Sequence, residues 1–364
     1  MIRVPVTTPS RSYEVLIGSG LLARAGECLG NFLRSRRAFV VTVPPVRRRW
    51  AKVLVQSLTA AGIESTLIEM QDGERAKRLT TLEKLAEQLV KHGADRGVTL
   101  IALGGGVVGD VTGFLASIYM RGVEVIQVPT TVLAQVDAAI GGKTGVNLVS
   151  GKNLLGTFHQ PHAVLVDPAV LATLPPREYR AGLYESLKCG IIGDAGLFRL
   201  FEERHKEILA RDPAVVEKVI ADSVRLKASV VSADEREGGL RQVLNLGHTV
   251  GHALEAETEY KVLLHGEAVA WGMVAATYIA LSTGKLDSVT AGRIMNAVLG
   301  LGELPRINIK TANILKRLRS DKKTRQGVVH FILPREIGKV EITSDVGEAV
   351  VRAAVEDIRK LARN

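Results

Sequence analysis

The 364-residue chain has two cysteines, Cys28 and Cys189. Two are too few for a disulfide framework or a four-thiolate metal cage, so a metal site here must rest on imidazole and carboxylate. Aromatic residues make up only 4% of the chain, which removes the stacking platforms that hold single-stranded nucleic acid. No helix-turn-helix or zinc-finger spacing is present, so nucleic acid is not an expected partner. The first ten residues contain no apolar signal core, and a cytoplasmic protein is expected. The longest uncharged run, residues 268–284, is short for a membrane span and rich in small side chains. It reads as a buried helix, and no membrane association is expected.

What the chain does have is basic charge, apolar content and glycine. The net charge is +10, with basic stretches at 34–37, 47–49 and 316–325. Solvated basic faces account for part of this excess, and an anionic substrate for the rest. With 46% hydrophobic residues the chain can bury a large core, better divided into two domains than one. Short β-branched runs at 13–17, 38–43, 65–69, 99–103 and 123–128 alternate with helical patterns such as 48–60 and 80–92. That alternation predicts an α/β domain with a Rossmann-like parallel sheet. After Asp167 and Pro168 the periodicity becomes helical, over 178–190, 214–233, 249–257, 268–281 and 290–299. Residues 328–333 and 339–342 suggest a small two-stranded addition before a closing helix over 346–361. The boundary falls near Leu174-Pro175-Pro176, giving an α/β domain over 1–175 and a mostly helical domain over 176–364.

Three of the eight histidines, His248, His252 and His265, fall within eighteen positions. On a helix His248 and His252 share a face at i and i+4, a spacing that suits a divalent metal, and Glu255 and Glu267 lie near. Core or capping histidines are the competing reading. Zinc is the default metal for imidazole and carboxylate ligands.

The strand-like run 99–103 enters the sequence GGGVVGD at 104–110. A glycine turn that opens a helix leaves backbone N–H groups facing outward and favours phosphate. Gly104, Gly106 and Gly109 satisfy G-x-G-x-x-G, but the turn follows several strands instead of the first. Close strand–helix packing explains the glycines equally well. Gly142-Lys143-Thr144 imitates the end of a Walker A loop, yet the position five before Gly142 is Asp137, so a P-loop is rejected. Lys143 and Lys152, the latter beside Asn153, are candidate anion-binding groups or ordinary surface lysines.

Taken together, several segments resemble the 3-dehydroquinate synthase family of sugar-phosphate cyclases. They are 72–77, 104–110, 127–137, 141–147, 158–161, 245–252, 265–267 and 321–323. The resemblance implies an NAD-binding α/β domain, a C-terminal helical domain, a metal site in the cleft between them, and a homodimer. It implies Glu185, His248 and His265 as ligands to Zn²⁺ or Co²⁺, which frees His252 to face substrate and phosphate. For NAD it implies Asp72, Gly73, Glu74 and Lys77 at the ribose, and Gly105, Gly106, Val107 and Asp110 at the pyrophosphate. Thr130, Thr131, Lys143, Lys152 and Thr173 are further implied contacts. Glu124, twenty residues past Gly104, is the ribose acid that a simple Rossmann reading would choose, and Glu74 is preferred to it.

The implied substrate, 3-deoxy-D-arabino-heptulosonate 7-phosphate, carries a carboxylate, a phosphate and several hydroxyls. By motif position Arg241 and Lys227 suit the carboxylate. Lys143, Asn153, His252 and one of Lys322 or Lys323 suit the phosphate, with Arg121 reaching in from a partner subunit. Asp137, Lys188 and Asn245 would address ring hydroxyls. The implied reaction is NAD-dependent oxidation, phosphate elimination, re-reduction and intramolecular aldol closure, with no net redox change. Two departures from the family pattern stand out. The segment around Glu185 reads YESLKCG over 184–190 where the family has AEVIKYG, and Leu246 replaces a usual Phe. Other sugar-phosphate cyclases and metal-dependent polyol dehydrogenases are the rival activities.

Overall fold

The computed structural model of the chain describes residues 1–324 and 329–362, without the side chains of 320–324. It separates into two compact units, Met1–Pro175 with Val216–Arg236, and Pro176–Val215 with Glu237–Asn364.

The first unit is a seven-stranded sheet in the order β1-β2-β9-β6-β5-β3-β4. Its strands are β1 (Ile2–Thr7), β2 (Ser12–Ile17), β3 (Arg37–Thr42), β4 (Glu64–Glu69), β5 (Thr99–Gly104), β6 (Glu124–Pro129) and β9 (Ala163–Val166). Every pair is parallel except the β1–β2 hairpin at one edge. β5 and β9 are buried at every position, as central parallel strands covered on both faces must be. Helices α1 (Ala25–Leu29), α2 (Pro44–Val46), α3 (Lys52–Ala60), α4 (Leu79–Lys91) and α5 (Gly106–Ile118) make the crossovers. α4 buries Leu82, Leu85 and Leu89, one stripe at helical spacing, in a core shared with Phe39, Leu100 and Phe114.

A separate antiparallel hairpin, β7 (Lys143–Leu148) with β8 (Gly151–Phe158), packs on α5. The segment that imitates a Walker A loop therefore opens a strand, where a P-loop would open a helix.

The second unit holds α6 (Pro176–Gly193), α7 (Ala195–Leu209), α9 (His248–Glu257), α10 (His265–Ser282), α11 (Ser288–Gly300), α12 (Thr311–Thr324) and α13 (Glu348–Leu361). A small hairpin, β10 (Phe331–Glu336) with β11 (Lys339–Thr343), completes it. α10 corresponds to the uncharged run and is buried on nearly all sides, as a helix apolar around its circumference must be. Among the described residues no helix is long and apolar enough to cross a membrane. α8 (Pro213–Ala233) is helical, as its periodicity requires, but residues 216–236 pack with the first unit. One cause is Glu235, whose carboxylate accepts hydrogen bonds from Thr8, Ser10 and Gln160. The sequence alone placed this stretch in the helical domain, because periodicity reports a helix and not the neighbour it packs on.

Candidate active site and metal centre

In the second unit three elements converge. α6 presents Glu185 and, one turn on, Lys188; α9 begins at His248 and α10 at His265. Glu185, His248 and His265 each offer a ligand atom, all lying within 4.8 Å of one another. Glu185 Oε1 is 3.9 Å from His248 Nε2 and 3.5 Å from His265 Nε2.

The start of α9 is fixed by Gly247, whose φ of 80° lies in the left-handed region. A Cβ on Gly272 of α10 would sit 1.7 Å from the Gly247 carbonyl oxygen, so glycine at that position lets α10 run close beneath the turn. The entry to α10 is fixed by Glu267, whose carboxylate accepts from the Leu264 amide at 2.8 Å and is clamped by Arg177 at 2.7 Å.

The ring nitrogens turned away from Glu185 are also held. His248 Nδ1 lies 3.2 Å from the Leu246 carbonyl, which can only accept, so Nδ1 donates and Nε2 keeps its lone pair for the cluster. His265 Nδ1 lies 3.2 Å from the buried carboxylate of Glu255 and donates to it in the same way. A carboxylate or carbonyl behind each imidazole is the support that metal-bound histidines need.

Glu185 is 1% exposed, and neither of its oxygens has a hydrogen-bond donor in good geometry among the described residues, although the Lys188 ammonium touches one. Burial alone would raise its carboxyl, but Lys188, then His265 and His248, outweigh burial and hold it well below the usual range. Burial and the Lys188 charge push His248 down, toward the neutral imidazole that a metal requires. Against its own burial, His265 is pushed up to about 10 by Glu185 and Glu255. One buried carboxylate without good donors plus two oriented imidazoles fits a borderline ion such as Zn²⁺ or Co²⁺.

His252 lies one turn beyond His248, with the two ring centroids 5.1 Å apart. It is exposed and belongs to a second grouping with Glu255 and His265. Arg241, on the short helical turn Leu240–Asn245, is 2% exposed, and Asn245 donates to Glu237 at 2.7 Å.

The first unit carries the glycine turn. β5 ends at Gly104, Gly105 caps α5, and Asp110 sits in the helix's second turn. A Cβ on Gly104 would strike Val108 at 2.5 Å, so this glycine serves strand–helix packing. Gly105 and Gly106 stand, half-buried, at the amide end of the helix, where an anionic group would be received. Thr130 donates its amide to the Gly104 carbonyl at 2.9 Å, and Thr131 Oγ1 accepts from the Ala134 amide at 3.1 Å. Thr173 accepts from Trp50 Nε1 at 3.2 Å.

Lys77, 4% exposed, donates to both Asp110 and Asn153. Asn147 donates to Glu74 at 2.7 Å and accepts from the Asn153 amide at 2.9 Å, while Lys152 lies 4.0 Å from Glu74. The segment 72–77, α5 and the β7–β8 hairpin are thus tied into one polar network. Lys227 donates to both the carbonyl and the carboxylate of Asp137, the latter at 2.6 Å.

Glu124 is the first residue of β6, at the strand end opposite the glycine turn, so it does not face that turn. Lys143 and Arg121 are exposed, and Arg121 has a φ of 69° in the tight turn after α5. Lys322 and Lys323 fall in the last turn of α12, and their side chains lie outside the described residues. Asn147 was missed by the sequence reading of roles, since nothing local marks it, while Glu255, read from sequence as a neighbour of the histidines, here accepts from His265 Nδ1.

The chain matches known proteins along nearly all its length. Residues 67–181 match the 3-dehydroquinate synthase N-terminal family and 182–324 the 3-dehydroquinate synthase C-terminal family. The 3-dehydroquinate synthase of Koribacter versatilis (strain Ellin345) is 55% identical over 363 residues, covering 100% of this chain and 99% of that one. Among solved structures, 2-epi-5-epi-valiolone synthase from Streptomyces hygroscopicus subsp. jinggangensis 5008, with NAD⁺ and Zn²⁺ bound, superposes with a TM-score of 0.88. It is 31% identical and covers 96% of this chain and 98% of its own. A 2-deoxy-scyllo-inosose synthase complexed with carbaglucose-6-phosphate, NAD⁺ and Co²⁺ gives a TM-score of 0.86 at 26% identity, covering 99% of both chains. With the oriented carboxylate–imidazole cluster and the glycine turn both present, full-length identity at this level decides the assignment, and the chain belongs to the 3-dehydroquinate synthase family.

Proposed function

We propose that the chain converts 3-deoxy-D-arabino-heptulosonate 7-phosphate to 3-dehydroquinate and phosphate, with NAD and a divalent metal as cofactors. The observation that carries this reading is the Glu185–His248–His265 cluster, in which backing acceptors fix both imidazoles. Those three residues would hold Zn²⁺ or Co²⁺ and leave positions for substrate oxygens. The α/β unit, 1–175 in the sequence division, would hold NAD, with Glu74 and Lys77 at the ribose and the amides of Gly105 and Gly106 at the pyrophosphate. Bound together, the cofactors supply a Lewis acid and a hydride acceptor that returns its hydride.

The chain's own part is positioning and charge. Arg241 and Lys227 receive the carboxylate, and Lys143, Asn153 and His252 the phosphate. Asp137, Lys188 and Asn245 orient ring hydroxyls, and the exposed imidazole of His252 can exchange a proton with a departing phosphate oxygen. Lys77 joins both sets, because it contacts Asp110 on one side and Asn153 on the other. We read the protein as a cytoplasmic homodimer. Exposed Ile118 and Met120, close in sequence to Arg121, and exposed Leu154 and Phe158 on β8 form the surface that a second copy would cover.

Phosphate release should be measured with the heptulosonate phosphate and, in parallel, with sedoheptulose 7-phosphate, each with NAD and Zn²⁺. Selective turnover of the first is expected. Equal or faster turnover of the second would assign the chain to another cyclase activity.

A further inference from the structure

A cavity of about 520 Å³ opens in the first unit at the N-terminal ends of β6 and β9. Arg11, Arg34, Glu124 and His162 line it, together with Tyr13 and Phe32. In the β5–β6 register Glu124 faces Thr99 while Pro129 faces Gly104. A six-residue strand, roughly 17 Å, therefore separates the cavity from the glycine turn. Ligands of open α/β sheets bind at the carboxyl ends of the strands, so this cavity is no part of the site assigned above.

Its polar groups are built in and incompletely matched. Arg11 lies in the turn between β1 and β2. There the Thr8 amide and hydroxyl both donate to its carbonyl, at 3.0 and 2.8 Å, and Glu235 accepts from the Ser10 amide at 3.3 Å. The backbone is thereby held in place before any ligand arrives. The half-buried guanidinium of Arg11 makes no hydrogen bond or close ion pair among the described residues, and neither does that of Arg34, which is exposed at the rim. Burial lowers Arg11, against the opposing pull of Glu124. His162 Nε2 is buried with no hydrogen-bond partner, 3.4 Å from Glu124, and burial pushes the imidazole down to about 4. At neutral pH the lining thus has two guanidiniums, a neutral imidazole and two carboxylates, of which Glu14 is paired with Arg3 at 2.8 Å and only Glu124 faces the guanidiniums. A cation withdrawn from water without a matched anion is a cost that a bound carboxylate relieves. Tyr13 and Phe32 add apolar wall beside these charges, in a cavity of the size that small molecules occupy.

We propose that this cavity binds a small organic carboxylate, its anionic group on Arg11 and Arg34 and its apolar body against Tyr13 and Phe32. The test is calorimetric titration of the intact protein with benzoate, phenylacetate and inorganic phosphate at low salt. Saturable binding of an aromatic carboxylate is expected, weaker by about tenfold or more in Arg11→Ala and less so in Arg11→Lys. Arg34→Ala gives a second reading should Arg11→Ala fold poorly. The proposal is overturned if neither carboxylate saturates the wild type, if Arg11→Ala and Arg34→Ala bind as the wild type does, or if phosphate alone binds. A changed oligomeric state in Arg11→Ala with no carboxylate binding would also overturn it, giving the cavity to a second copy of the chain.

Discussion

His248 and His252 share one helix, yet their surroundings divide their work. His248 is tied at Nδ1 to the Leu246 carbonyl and turns Nε2 toward buried Glu185. His252 is exposed and stands beside that group. Replacing His248 by Ala should remove bound Zn²⁺, whereas His252→Ala should keep the metal and lose turnover by roughly a hundredfold. Metal content after gel filtration, read beside phosphate-release rates, separates the two. Equal metal loss in both variants would instead favour an i,i+4 metal pair. The proposed ligand set came from the family resemblance, whereas spacing alone paired His248 with His252; the candidate group Glu185, His248 and His265 fits the former. Their backing was less legible. The Leu246 carbonyl is a backbone group with no sequence signature, and Glu255, near the histidines in sequence, shows its partner only once the His265 ring orientation is known. The substitutions at Tyr184, Ser186, Leu187 and Cys189 all fall on buried positions of α6, beside buried Glu185.

Among elements, β3, β5 and β6 were plain from β-branched runs, because strands buried on both faces are mostly apolar, whereas the four-residue β9 between β2 and β6 was missed. The β7–β8 hairpin was not recognised. Its second strand carries Leu154 and Phe158 outward, so the inside–outside alternation that marks a half-buried strand is blurred. β9 is a short, fully buried strand that follows this hairpin, and His162 stands just before it. Burial, then the charges of Arg11 and His159, depress His162 to about 4, below the ordinary value of 6.5. The unfolded chain therefore binds a proton there between those values while the folded chain does not. Stability is fully present above pH 6.5 and declines as the pH falls toward 4. Thermal unfolding of His162→Gln between pH 7 and 5 should show a shallower loss of Tm than the wild type. An unchanged slope would assign the acid sensitivity to other groups.

The whole molecule is less legible than its parts. Periodicity identified α8 as a helix, but its attachment to the first unit depends on contacts such as Glu235 with Thr8 and Ser10, more than 220 positions away in sequence. Assembly has the same character, since side chains such as Met120 and Leu154 show their exposure only once the fold is built. If a second copy covers them, Met120→Asp with Leu154→Asp should halve the mass in solution, and turnover should fall as Arg121 loses its place on the partner. Light scattering with and without the substitutions decides this, and a wild-type monomer that turns over normally would contradict it.

Above assembly stands the claim that the glycine-turn unit and the metal-cluster unit serve one cycle with no net oxidation. The most direct measurement follows phosphate release and NADH absorbance together, with the heptulosonate phosphate in large excess over NAD. Phosphate should accumulate far beyond the NAD present while NADH stays flat. NADH that instead rises mole for mole with substrate consumed, or with glycerol offered in its place, would contradict the account and make the protein a dehydrogenase.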